Sequence, residues 1–496
     1  MNRSEHKVEP LKFSDKCGGG GAGKSRSCLD FPGASDYIFI GRGFPRNQRM
    51  LIAMPRNQGS VPAHCDVCVM GGGPAGSNVA SLLAQKGFSV VLLEKGHHPR
   101  YQVGESLLPH FWKFADQIGV ADAIQAEGFL GKGGAITVWD GKIHQFRFAD
   151  FGFKRPALHV ERDRFDLILF KHASDSGAYA YEGITVQNVD FEGGTPVVHF
   201  KDGRDPQGSA HALECSYVVD ATGTAALLAR QFGTRKLVEA DTRYVALWGY
   251  YDDARFFSID GKSHGFEEVG SAQPATFISS YEHGWSWHIT LRDRTSVGLV
   301  STVEQLKRRT RAEQEQYFRD TCGSVPFLKD LLADATLSDP RIRFMPDYSY
   351  YSENLCGDGF YCVGDAGAFA DPIFSHGLQA TFYGASLCAW ALESALNDPA
   401  RKERYAKICD AKLRQYYDFS RALALGASGS EGTEPELVKS LLESMSPQDL
   451  EMTLVASVIS NRSDNFRKMA ADAGLLERFG GGYFTDKATF LSDLHI

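Results

Sequence analysis

No apolar run in this chain approaches the roughly 18 consecutive residues that a membrane-crossing helix needs, so an integral helical membrane protein is excluded. Positive charge is also scarce. Lys and Arg number 53 against 61 Asp and Glu, a formal net charge of -8, which argues against a nucleic-acid or anionic-membrane surface. Met1-Asn2-Arg3-Ser4 leads into polar, glycine-rich sequence without the apolar stretch of a secretory signal, and a cytoplasmic location is the expectation. The 10 cysteines lack regular spacing and read as reduced thiols. Cys65 and Cys68 have no second pair nearby, so they read as core and no metal site is expected. No internal repeat is apparent.

Residues 1–60 show no sustained hydrophobic period and are expected to form a flexible extension. Within them, Gly18-Gly19-Gly20-Gly21-Ala22-Gly23-Lys24-Ser25 fits a phosphate-loop pattern. A phosphate cradle needs a strand before the loop and a helix after it, and neither context is present, so the segment reads as a decoy.

What is present begins at Cys65-Asp66-Val67-Cys68-Val69-Met70, a short apolar strand. Gly71-Gly72-Gly73-Pro74-Ala75-Gly76 follows, then a helical pattern ending at Gly87 and a second strand, Val90-Val91-Leu92-Leu93-Glu94. This is a βαβ dinucleotide-binding unit. Gly71, Gly73 and Gly76 meet its needs for a tight turn, close approach to pyrophosphate and close helix–strand packing, and Glu94 stands where an acid binds a ribose hydroxyl. His97 and His98 then fall in an expected solvated loop. Val218-Val219-Asp220-Ala221-Thr222-Gly223 and Gly359-Phe360-Tyr361-Cys362-Val363-Gly364-Asp365-Ala366 read as returns to the same sheet. The expected organisation is a first nucleotide-binding part over 61–235, an inserted β-sheet substrate domain over 236–345, a return over 346–395 and a helical region over 396–496.

Trp285-Ser286-Trp287-His288-Ile289-Thr290 reads as a strand that places Trp285, Trp287 and Ile289 on one face. Beside the glycine turn, this segment resembles the Trp-x-Trp-x-Ile-Pro hallmark of the flavin-dependent halogenases, with Thr290 in place of the proline. Four further segments resemble the same family: Gly104-Glu105-Ser106, Phe129-Leu130-Gly131-Lys132, Asp371-Pro372-Ile373-Phe374-Ser375-His376-Gly377, and Arg343 to Tyr350. Val160-Glu161-Arg162-Asp163-Arg164 and Gly364-Asp365-Ala366 look like FAD motifs of the wider monooxygenase-like group.

The resemblance implies an α/β fold with an FAD-binding Rossmann-like domain of the glutathione-reductase or p-hydroxybenzoate-hydroxylase type. It implies that Arg162 and Asp365 contact FAD, that Lys132 is catalytic, and that Trp285 and Trp287 separate flavin from substrate. Ser375, His376 and Gly377 would bind halide, with His376 departing from the usual hydroxyl residue. Phe374, where tryptophan halogenases carry a glutamate, points to a phenol or pyrrole rather than free tryptophan. The implied reaction consumes FADH2, O2 and chloride, bromide or iodide, passing through a flavin hydroperoxide and hypohalous acid. A single glycine fingerprint in strand–helix context implies a separate NAD(P)H-dependent flavin reductase. The aromatic small molecule could arrive free or tethered to a carrier protein. An FAD-dependent aromatic hydroxylase and a non-catalytic flavin-binding protein stand as alternatives.

Overall fold

A computed structural model describes residues 59–425, apart from 140, 206, 238–242 and 347, together with 452, 453 and 474. The decoy glycine segment at 18–25 lies outside the described residues, as does all but the end of the expected extension. His64–Met70 forms a parallel strand between Val90–Glu94 and Ala210–Asp220; Tyr179–Glu182 and Phe360–Cys362 extend this sheet outward, also in parallel. Such strands are covered on both faces, which is why their residues read as continuous apolar runs. On one face, helix Pro74–Gln85 and the long helix His376–Asn397 pack Val79, Leu83, Ala385 and Leu392 against Val67 and Val69. On the other, Met70, Val91 and Val218 meet Val198, Phe200 and Leu228.

His98 departs from expectation. It is 1% exposed, stacks on Phe170 at 4.8 Å and places Nδ1 2.8 Å from Glu182, whereas its neighbour His97 is open to water.

A second eight-stranded sheet runs through Thr336–Leu337, Tyr244–Asp252, Thr295–Thr302, Gly284–Thr290, Thr276–Tyr281, Gly134–Trp139 and Lys142–Arg147, with Arg343–Pro346 beside Tyr244–Asp252. Its strands therefore come from Gly134–Arg147 as well as from the stretch expected to carry it. One face buries Phe277, Val297 and Leu299 against Phe318, Leu328 and Leu331 of the helices Arg311–Cys322 and Leu328–Leu331. The opposite face carries Trp248, Trp285, Trp287 and Ile289. Trp287 lies across Gly298 of the neighbouring strand, where any Cβ would sit 2.1 Å from the indole. Among the described residues, no helix is long and apolar enough to cross a membrane.

Charged side chains tie the second sheet to the nucleotide-binding layer. Arg292, just beyond the tryptophan strand, donates to Glu161 Oε2 at 2.6 Å and to Glu127 Oε1 at 3.1 Å, and Arg164 donates to the other oxygen of Glu127 at 2.8 Å. Glu161 is 1% exposed and precedes helix Arg162–Asp175. Removing one partner of such a set leaves a buried charge uncompensated, at a cost of about 3–5 kcal/mol. Arg292→Met is therefore expected to lower the thermal unfolding midpoint by several degrees, and adding Glu161→Gln should restore part of the loss. Calorimetry on both variants checks this; equal midpoints for Arg292→Met and wild type would refute it.

Candidate active site

The glycine turn opens a cavity of about 780 Å³ that runs from the first sheet to the tryptophan face of the second. Gly71 has φ +106°, and a Cβ there would lie 2.3 Å from the Ala221 carbonyl oxygen; a Cβ on Gly76 would lie 1.9 Å from the Gly71 oxygen. Gly73 is different. A Cβ there would meet nothing closer than Arg100 Nη2 at 3.5 Å, so its surface is open to the cavity. The unpaired amides starting helix Pro74–Gln85 make this opening suited to a pyrophosphate.

Glu94 ends the second strand with its carboxylate accepting from the amides of Gly72 and Gly96, both at 2.7 Å. Burial pushes this carboxyl up, but Arg100 and the two amides outweigh it and hold the group below its ordinary value. Arg100 also approaches Asp166 at 3.6 Å. It thus stands over the glycine turn between two carboxylates, a placement no sequence pattern signalled. Arg162 is buried rather than a surface ion pair: Nε donates to Asp166 at 2.8 Å and Nη1 to the Val103 carbonyl at 2.7 Å. Asp365 lines the same cavity; loss of water raises its carboxyl to about 6, partly offset by Arg162. The structure brings Gly71, Gly73, Glu94, Arg162 and Asp365 together around one cavity, with Gly76 packed beneath the turn. The open glycine surface, the amides at the helix start and the acid ending the second strand fit the needs of FAD.

Trp285 and Trp287 line this cavity with ring centroids 5.9 Å apart. Trp285 Nε1 has no hydrogen-bond partner among the described residues. The indoles bound the cofactor side but do not reach the Lys132 side. The residues that border both cavities are Thr276, Ile278, Ile373 and Ser375.

Lys132 closes the short strand Leu130–Lys132, and the chain turns at Gly133 before the next strand, Gly134–Trp139. It is 2% exposed and faces a smaller cavity of about 70 Å³ lined by Trp139, Phe146, Phe148 and Phe374. Nζ donates to Ser106 Oγ at 2.7 Å and to the Leu107 carbonyl at 3.3 Å, and it lies 5.2 Å from the centre of the Phe148 ring. Burial without a compensating carboxylate drives its pKa from 10.5 down to about 7.

Ser375 sits between the two cavities at φ 57°, immediately before helix His376–Asn397. Gly377 faces the cofactor cavity and His376 the lysine cavity, so the three residues stand at the junction, where His376 and Gly377 begin the helix and the Ser375 amide donates to the Pro372 carbonyl at 3.1 Å. The His376 ring lies near Phe374 at 5.9 Å and Phe419 at 6.5 Å. Burial first, then the charge of Lys132, lowers it to about 4, which leaves it neutral at neutral pH.

The depressed lysine has a thermodynamic signature. Between about pH 7 and 10.5 the unfolded chain holds a proton on Lys132 that the folded chain has lost, so this group's destabilising effect is full below pH 7 and fades as pH rises. Lys132→Met should therefore be more stable than wild type at pH 7, with the gap narrowing toward pH 10. Chemical denaturation of both proteins across that range measures the gap, and a constant offset would contradict a buried, shifted lysine.

The comparisons agree with this geometry. The FAD binding domain family matches residues 64–420. The chain is 35% identical to a tryptophan 2-halogenase of Chondromyces crocatus over 68% of its own length and 62% of the relative's. It is 30% identical to the flavin-dependent halogenase armH3 of Armillaria mellea over 74% of this chain and 75% of that one. Among solved structures, the myxobacterial chondrochloren halogenase CndH superposes with a TM-score of 0.66 at 27% identity, covering 87% of this chain and 93% of its own. With a dinucleotide cavity, a tryptophan strand facing it and that likeness along most of its length, the chain belongs to the flavin-dependent halogenases.

Proposed function

We propose that this protein uses FADH2, O2 and a halide to halogenate a neutral, electron-rich aromatic ring of phenol or pyrrole type at Lys132. The observation that carries the reading is a buried lysine without a counter-ion, set across a thin wall from the cofactor cavity. Reduced FAD would supply the electrons by which O2 oxidises halide to hypohalous acid.

The remaining work falls to the chain. As an ammonium, Lys132 donates a hydrogen bond to the hypohalous oxygen and makes the halogen more electrophilic; as an amine, it is nucleophilic enough to take the halogen itself. A shift to about 7 puts both forms within reach at neutral pH. In either form the net change is replacement of a ring proton by halogen with release of water. His376 and Gly377, at the start of a helix between the cavities, supply amide donors suited to a halide on its way across, with Ser375 beside them, whose own amide donates to the Pro372 carbonyl.

The cavity wall favours an uncharged ring. Trp139, Phe146, Phe148 and Phe374 offer aromatic surfaces, and the titratable residues among those described as lining it are Lys132 and His376. The Chondromyces relative is named for tryptophan, an amino acid whose ammonium and carboxylate would both need partners. The described walls offer no carboxylate to the ammonium. Thr137 Oγ1 is buried and without a partner among the described residues, a hydroxyl available to a phenol O–H or pyrrole N–H. Electrons would come from a separate NAD(P)H-dependent flavin reductase.

Mass spectrometry tests the reading, using a phenol and pyrrole panel with the protein, FAD, a flavin reductase, NADH and chloride or bromide. Wild type is expected to give halogen isotope patterns, and Lys132→Ala to reduce that product by roughly 100-fold or more. Hydroxylated products that form regardless of halide would replace this reading with an aromatic hydroxylase.

A further inference from the structure

Behind Lys132 runs a line of buried polar groups drawn from widely separated parts of the chain. Ser106 Oγ accepts from Lys132 Nζ at 2.7 Å and from Ser375 Oγ at 3.0 Å. It lies 3.2 Å from Thr276 Oγ1, which lies 2.8 Å from His159 Nε2, and His159 Nδ1 is 3.0 Å from the Thr290 carbonyl oxygen. Ser106, Thr276 and His159 are each at most 8% exposed.

The hydrogen positions follow from valence at both ends. A carbonyl can only accept, so His159 carries its proton on Nδ1 and presents a bare Nε2. Thr276 must then donate to that nitrogen. From the other end, Ser106 has both lone pairs occupied by Lys132 and Ser375, so its one O–H must point at Thr276. The two deductions meet without conflict, and every hydroxyl proton in the line points away from the lysine. His159 stays neutral: burial first, then the charges of Lys132 and His288, outweigh the Thr290 carbonyl and push it well below its ordinary value.

We propose that His159 is a positioning residue for Lys132, acting through the hydroxyls of Thr276 and Ser106 to keep Ser106 an acceptor toward the lysine nitrogen. A neutral amine has two protons and one lone pair. With Ser106 and the Leu107 carbonyl both accepting, the two protons are committed to the protein and the lone pair is left facing the cavity. The titratable groups facing Lys132 are the neutral imidazoles of His159 on one side and His376 on the other, so no carboxylate competes for that orientation among the described residues. The value of the orientation for catalysis rests on the halogenase reading; the orientation itself does not.

Breaking the line has a signed consequence. In Thr276→Val, Ser106 loses its outgoing acceptor and is free to turn its proton onto the amine, which favours the neutral form and occupies the lone pair. The test uses FAD-loaded, full-length protein with lysine labelled with carbon-13 at Cε. The Lys132 signal is assigned by its absence in Lys132→Met and titrated by NMR. Thr276→Val and His159→Phe are expected to lower the titration midpoint by about 0.5 pH unit or more, roughly a threefold change in the ratio of the two forms. Thr276→Ser, which keeps the hydroxyl, should titrate like wild type. Thr276→Val slows halogenation per enzyme although it raises the amine fraction. An unchanged midpoint in Thr276→Val, or equal shifts in the Ser and Val variants, would overturn the proposal. If His159→Phe does not fold, the threonine pair still decides. Absence of halogenated product from wild type would count against the function and leave the titration result standing.

Discussion

The tryptophan strand must serve two environments at once, and the rest of the site depends on how it does so. Successive side chains of Gly284–Thr290 point to opposite faces. Trp285, Trp287 and Ile289 reach the cofactor cavity, while His288 stands opposite Phe277 and Val297 in the helix-covered core. A slip of one residue would exchange the two sets, burying the indoles against helices and turning His288 into the cavity. Gly298 holds the register, because Trp287 needs the space that any larger residue would fill. With Trp287 fixed, Ile278 lies directly opposite it, and Thr276, two residues away on the same face, is delivered to the wall between the cavities.

Buried charge divides the molecule in an informative way. On the cofactor side Glu94 pairs with Arg100 and Arg162 with Asp166, and between the two sheets Glu161 pairs with Arg292. Lys132 has a hydroxyl and a carbonyl instead. An ammonium so placed is costly in a structural role and useful in a chemical one, since the cost is what brings its neutral form within reach.

The parts of this arrangement that depend on neighbouring residues were legible in the chain. The glycine turn, the acid closing the second strand and the period-two tryptophans each sit inside one short segment, so local spacing reveals them. Lys132 was legible by its family context, but its burial was not, because the surfaces that cover it come from Phe148, Ser106 and the region around Ser375. Ser106, His159 and Thr276 are individually ordinary. Their meeting joins positions up to 170 residues apart and follows no short-range pattern. Arg100 was missed for a related reason: an arginine in a loop after His98 and Pro99 looks solvated until two carboxylates are seen to hold it over the glycine turn. The second sheet likewise takes in Gly134–Trp139 through a parallel pairing with Thr276–Tyr281, a contact that strand patterns alone do not disclose.

The two cavities share few residues, and this has a consequence for how such a protein can change over time. Trp139, Phe146 and Phe148 belong to the lysine cavity and not to the cofactor cavity; the first two sit on the antiparallel pair at the edge of the sheet and Phe148 on the turn that follows. Residues at an edge can be exchanged without re-registering the interior strands. The cavity proposed for the acceptor can therefore diversify while the glycine-turn cavity stays as it is, so that one scaffold is open to many lineages of chemistry.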